Sequence, residues 1–215
     1  MRVPHTVVML SMLILASALP RANAQVYYGP IPKHLEIAPF AGYMVSTEVQ
    51  VSDGIVEVEN GPAYGATLSL DVKKGGQVEF LYVYNNAAAR FVSSTDPTTN
   101  FDFNAVSMYF MLGYTFEMRP LKMSTAFFSA GLGGWWSQPE GTSYEDRWLV
   151  AMHFGGGYKF YFSELIGIRL QAHALLPLVF SGGGLYAGTG GSGLAIAAGI
   201  PIAQFLFSGG LIVAI

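Results

Sequence analysis

Between Gln77 and Asn85, one set of alternate positions holds Val78, Phe80, Tyr82 and Tyr84, while Gln77, Glu79 and Asn85 fall on the other. Side chains leave a strand toward opposite faces with a period of two, so this stretch is a strand with one apolar and one wet face. The pattern recurs along the chain and predicts eight strands, at 35–46, 63–72, 77–86, 103–116, 124–136, 147–160, 166–179 and 203–215. Each is about as long as the 9–11 residues that a tilted strand needs to cross a bilayer.

The connections alternate in length. Lys73 to Gly76, Glu117 to Lys122 and Tyr161 to Leu165 are short; 47–62, 87–102, 137–146 and 180–202 are long loops. Tight turns on one rim and long loops on the other are the plan of an up-and-down membrane barrel.

The two faces of each strand differ in kind. Val106, Met108, Phe110, Leu112, Tyr114 and Phe116 form an uncharged face in the fourth strand, and Ile166, Ile168, Leu170, Ala172 and Ala174 do so in the seventh. In the sixth, Trp148, Val150, Met152, Phe154, Tyr158 and Phe160 oppose His153, Gly155, Gly157 and Lys159. A cation on the lipid face at the midplane costs about 2–4 kcal/mol, so uncharged faces suit a barrel exterior.

Charges take the opposite parity: Glu36, Asp71, Glu79, Lys159 and Arg169, with His153, Gln171 and His173 as further polar positions. Inside a narrow barrel these acids and bases should pair into a stabilising network, because a lone buried charge is expensive. Gly65, Gly113, Gly131, Gly133, Gly155, Gly157 and Gly167 share those inner faces. An eight-stranded barrel has room only for side chains, so small residues interleave with large ones and the polar lumen is filled. Tyr64, Tyr82, Tyr84, Trp135, Trp136, Trp148, Tyr158 and Phe160 to Phe162 lie toward segment ends and are expected to form interfacial girdles.

The beginning of the chain sets a destination. Arg2, the apolar run Val7 to Leu19 and the small-x-small site Ala22-Asn23-Ala24 read as a cleavable export signal over residues 1–24, leaving a single barrel domain over 25–215. Without residues 1–24 the chain keeps 9 basic against 14 acidic side chains, a net charge of −5, which excludes a nucleic-acid binder. It has no cysteine, hence no disulfide and no thiolate chemistry. Charged residues make up 12% of the chain, roughly half the usual globular share, alongside 26 glycines.

Several stretches carry a resemblance: Leu35-Glu36-Ile37-Ala38-Pro39-Phe40-Ala41-Gly42-Tyr43, Ala130-Gly131-Leu132-Gly133-Gly134, Gly155 to Tyr161, Gly167-Ile168-Arg169-Leu170 and the alternating C-terminal strand. Together they resemble the small outer-membrane β-barrel proteins of Gram-negative bacteria, the OmpA-transmembrane and OmpX-like superfamily. The resemblance implies an all-β, eight-stranded antiparallel barrel in the cell outer membrane. It implies contact with outer-membrane lipid and lipopolysaccharide, and delivery by periplasmic chaperones and the barrel assembly machinery. It also implies a monomer. Phe205, Phe207, Leu211, Val213 and Ile215 match the assembly strand of such proteins, although Ile215 stands where they commonly end in Phe or Trp.

Candidate chemistry is sparse. Gly188-Thr189-Gly190-Gly191-Ser192-Gly193 matches G-x-G-x-x-G, but no acidic residue follows Glu164 to bind a ribose, so it reads as a surface loop. A barrel enzyme acting on lipid A needs a His and a Ser together on the lipid-facing rim. His153 has inward parity and no neighbouring Ser, so a lumen hydrogen-bonding role is expected, with no catalytic residue, cofactor or metal site.

Glu48, Asp53, Glu57, Glu59, Asp96, Asp102, Glu140, Glu145 and Asp146 make the long loops acidic without a calcium-loop spacing, against basic short turns carrying Lys73, Lys74, Arg119 and Lys122. A transmembrane helix over 194–215 is the rival fold, opposed by Gly199, Pro201, Gln204, Gly209 and Gly210 and by the period-two pattern. The expected function is a non-enzymatic structural or surface-interaction role through four long extracellular loops. A narrow solute channel is the alternative, and a lipid A-modifying enzyme stands third.

Overall fold

The computed structural model describes residues 35–51, 54–93, 101–118, 123–140, 146–188, 191–199 and 202–215. The export signal falls outside these residues. The described chain is built from strands β1 (Leu35–Ser46), β2 (Val49–Val51), β3 (Gly54–Val58), β4 (Gly61–Lys73), β5 (Gly76–Ser93) and β6 (Phe101–Glu117). It continues with β7 (Ser124–Glu140), β8 (Arg147–Tyr161), β9 (Ile166–Gly188), β10 (Gly191–Gly199) and β11 (Gln204–Ala214). No described helix is long and apolar enough to cross a membrane, and 204–214 is strand rather than helix.

Eight of these strands close into an antiparallel barrel in the order β1-β4-β5-β6-β7-β8-β9-β11 and back to β1. The closing seam runs from Glu36↔Ala214 to Ser46↔Gln204. Leu35 and Ile215 extend it by exchanging backbone hydrogen bonds of 3.2 and 2.8 Å. Closure leaves no unpaired edge across the membrane-spanning height, as hydrocarbon demands.

The hairpin from β4 to β5 turns at Gly75, whose φ of 77° lies in the left-handed region where a β-carbon is penalised. At Leu165 the short turn is tied back to the seam, its carbonyl accepting from the Ala214 amide at 2.8 Å.

Alternation turns the apolar faces outward. Leu112, Leu132, Phe154, Leu170, Phe207 and Leu211 are all exposed, as are Val78, Phe80, Trp148 and Tyr158. A soluble monomer does not carry apolar surface on this scale, and a bilayer is what covers it. Tyr82, Phe110, Trp148 and Trp136 run across neighbouring strands toward the long-loop rim, with ring centroids 5.2 Å (Tyr82–Phe110), 6.1 Å (Phe110–Trp148) and 5.9 Å (Trp136–Trp148) apart. Such girdles sit at the headgroup level.

The long connections differ from the sequence expectation. β5 and β6 pair up to Phe91↔Phe101, and β6 and β7 up to Asn104↔Glu140, so 87–93, 101–102 and 137–140 are strand rather than loop. Arg90 and Asp102 link the first of these extensions through contacts of 2.7 and 3.4 Å. The Arg90 guanidinium holds the exposed Asp102 carboxyl below its usual range.

The 47–62 connection contains the small β2–β3 hairpin. The 180–202 connection is mostly the upper part of β9 paired with β10. Gly188 ends β9 and Gly191 opens β10, so the glycine-rich stretch is the end of a hairpin, with Thr189 and Gly190 outside the described residues. These segments lack clean apolar–polar alternation because no bilayer covers them, so their sequence carries no period-two strand signal.

Leu132, 61% exposed and paired with Leu112 and Met152, marks the middle of the apolar belt. Leu132→Arg is expected to cost about 2–4 kcal/mol in urea unfolding from lipid vesicles, and Asn86→Arg near the long-loop rim only about 0–1 kcal/mol. Equal effects at the two positions would show that the belt is misplaced.

Candidate functional site: the sealed lumen

Inward-facing side chains fill the barrel in tiers. Toward the short-turn end, Lys159 of β8 is fully buried. Its Nζ donates to Glu36 Oε2 at 2.6 Å, Gln77 Oε1 at 2.7 Å and Glu117 Oε1 at 2.8 Å. All three ammonium donors are thereby used, which is the condition for keeping such a charge out of water. Tyr161 donates to the other oxygen of Glu36 at 2.7 Å. Half-buried Asp71 accepts from Gln77 Nε2 at 2.7 Å, so it joins the cluster through an amide.

One tier further in, Arg169 forms a two-point pair with Glu79, Nη1 to Oε2 at 2.7 Å and Nη2 to Oε1 at 3.0 Å. Ser69 donates to Glu79 at 2.9 Å, and Thr67 accepts from Arg169 at 3.3 Å. Phe127 of β7 lies beside both cations, its ring centre 4.3 Å from Arg169 Cζ and 5.6 Å from Lys159 Nζ. The electron-rich ring face adds attraction in a desolvated setting.

The middle tier holds the two histidines. Ser129 Oγ lies 3.2 Å from His173 Nε2, and the His153 and His173 rings meet edge to face with centroids 5.5 Å apart. Glycines make the room. A β-carbon at Gly155 would overlap the His173 ring, and one at Gly131 would sit 2.7 Å from His153 Cε1.

Above them, Phe40, Met44, Leu81, Val83, Tyr109, Met111, Leu175 and Leu206 pack into an apolar cluster, with Trp135 against it. Tyr109 caps this plug by donating to Gln204, whose amide donates to Ser46 at 2.9 Å.

Parity placed Glu36, Glu79, Lys159, Arg169, His153, Gln171 and His173 inside, and the structure has each of them buried there. The sequence reading missed Glu117 and Tyr161, which it assigned to turns; both are strand residues with inward parity. Continuing the alternation of β6 and β8 to their last residues would have found them. Trp135, read as a girdle residue, faces the lumen and packs on Tyr109 with centroids 6.4 Å apart. Adjacent Trp136 faces outward, as alternation requires. Phe205, Phe207, Leu211, Val213 and Ile215 are all exposed on the outer face.

Among the described residues the lumen brings together a hydroxyl–imidazole pair, Ser129 with His173, that sequence did not show, since the residues are 44 positions apart. No described carboxylate hydrogen-bonds the His173 Nδ1 to orient the ring, and the pair lies beneath the apolar plug. Outside the lumen, Tyr43, Ser46, Glu48, Glu57, Val58, Glu59 and Asn60 line an open cavity of about 570 Å³ at the long-loop rim. Among the described residues no three His, Asp or Glu side chains converge to hold a metal ion.

No protein-family model matches the chain, and no curated protein matches it in sequence. Solved structures do. The outer membrane protein OprG from Pseudomonas aeruginosa aligns at 10% identity over 87% of this chain and 99% of its own, with a TM-score of 0.56. This chain has the fold of a small outer-membrane β-barrel.

The outer membrane protein AlkL, solved in lipid bilayers, aligns at 11% identity over 91% of this chain and 97% of its own, with a TM-score of 0.52. Neisserial surface protein A aligns at 11% identity over 84% of this chain and 97% of its own, with a TM-score of 0.51. At this identity the likeness speaks for the barrel fold alone; the content of the lumen is this chain's own.

Removing the Arg169 side chain leaves the Glu79 carboxylate buried without its counter-charge, which costs about 3–5 kcal/mol. Arg169→Ala is therefore expected to lower the unfolding midpoint in denaturant, with the double variant Arg169→Met/Glu79→Leu recovering most of the loss. An unchanged midpoint for Arg169→Ala would mean that the pair does not stabilise the barrel.

Proposed function

We propose that this protein is a non-conducting, non-enzymatic resident of the Gram-negative outer membrane that acts through its extracellular crown, in envelope integrity or surface contact. The observation that carries the reading is the double seal of the lumen. An apolar plug fills the long-loop half, and a hydrogen-bonded charge cluster fills the short-turn half. An ion crossing the plug would shed its hydration shell among Met44, Leu81, Met111 and Leu206 with little to replace it.

The strands that outrun the membrane, β2, β3, β10 and the upper parts of β5, β6 and β9, present the connections to the outside on a rigid support. Loops held by such a scaffold are where barrels of this kind place recognition. Lipid and lipopolysaccharide surround the belt, chaperones and the assembly machinery deliver the chain, and the working unit is a monomer.

Planar-bilayer recording of the refolded protein tests the seal. The expected result is a flat baseline, kept even in Met44→Gly/Leu206→Gly because the charge cluster still closes the short-turn half. Regular unitary steps from the unaltered protein would sink the reading in favour of a channel. A change in lipid A mass in cells expressing the protein would favour an enzyme.

A further inference from the structure

Among the described residues, the unsatisfied buried polar atoms concentrate in the middle tier of the lumen. His153 is fully buried, and neither ring nitrogen has a protein hydrogen-bond partner. His173 is 2% exposed; its Nε2 meets Ser129, but its Nδ1 has no partner. Three of the four ring nitrogens of the pair are therefore unsatisfied, and so are both amide atoms of Gln171, two positions before His173 on the same inner face of β9. Buried polar atoms are as a rule paired, and groups that are not ask for an explanation.

A purely structural edge-to-face contact between the rings does not supply one. The 5.5 Å centroid separation satisfies the ring faces but leaves the nitrogens idle. An apolar pair would fill the same space without that penalty, as the leucines and methionines of the tier above do. Moreover, Gly131 and Gly155 are the residues whose missing β-carbons make room for these rings. The tier is shaped around two imidazoles.

We propose that His153 and His173 form a two-imidazole site for a borderline-soft divalent transition-metal ion. Imidazole suits copper, zinc and nickel, and Cu²⁺ binds most strongly in the divalent series. A metal about 2.0–2.1 Å from one nitrogen on each ring sets the ring centres roughly 5–6 Å apart, which matches the observed spacing.

Gln171 offers an amide oxygen on the same wall, and Ser129 holds the far nitrogen of His173, fixing that ring as an outer-shell partner does. The Arg169 charge beside the site is offset by its two-point pair with Glu79. The site lies between the apolar plug and the charge cluster, so the ion is expected to enter as the barrel closes and to exchange slowly afterwards.

The test uses untagged protein refolded into detergent with Cu²⁺ present, then freed of loose metal by gel filtration. Outside the export signal the remaining histidine is His34, so His34→Gln is the reference protein. The expected result is about one copper per barrel, with electron paramagnetic resonance showing hyperfine coupling to two imidazole nitrogens. That signal should disappear in His153→Gln/His173→Gln, whose folding is checked by the shift in electrophoretic mobility on boiling. Sub-stoichiometric copper in the reference protein, or a signal without nitrogen coupling, overturns the proposal whether or not the double variant folds. Equal copper in a folded double variant overturns it too.

Discussion

In hydrocarbon, a backbone amide or carbonyl has no water to turn to, so each must find a partner within the protein. That constraint is met where β1 meets β11. The pairing from Glu36↔Ala214 to Ser46↔Gln204 joins the first and last barrel strands and removes the two edges an open sheet would expose. The rest of the structure depends on this closure. It encloses a lumen, separates an inner from an outer face on every strand, and makes a one-residue slip intolerable, since a slip would send Glu79 to the lipid and Phe80 inside.

Closure also explains the character of the interior. Eight strands leave space for side chains only, so the lumen becomes a protein core surrounded by its own sheet. This core is graded. Charged residues lie near the short turns, a histidine tier lies in the middle, and apolar packing lies toward the outside. In the charged tier Lys159 reaches three acceptors, and Arg169 meets Glu79 through two nitrogens while its Nε has no partner. Losing one partner of either ion pair there would be worse than an apolar filling.

Above the membrane the constraint relaxes, and the architecture relaxes with it. Among the described residues β2 pairs with β3, and β10 with β9, outside the closed circuit. Water solvates strand edges at that height, so the crown is free to vary in length and direction. The same freedom erased the alternation there, which is why 47–62 and 180–202 read as loops.

Across the bilayer-spanning strands the outward and inward sets were legible from period-two alternation, apart from Glu117, Tyr161 and Trp135, because a bilayer outside and a packed lumen inside impose opposite chemistry on neighbouring residues. Val78, Phe80 and Tyr82 against Glu79 already contained that division. Which inner residues touch was not legible. Lys159 meets Glu36 across 123 residues and Arg169 meets Glu79 across 90, and those distances collapse only when the shear of the closed barrel sets the register around the circuit. Sequence decided which face each side chain takes; closure decided its partner, since partners across a lumen are fixed by the geometry of the whole ring.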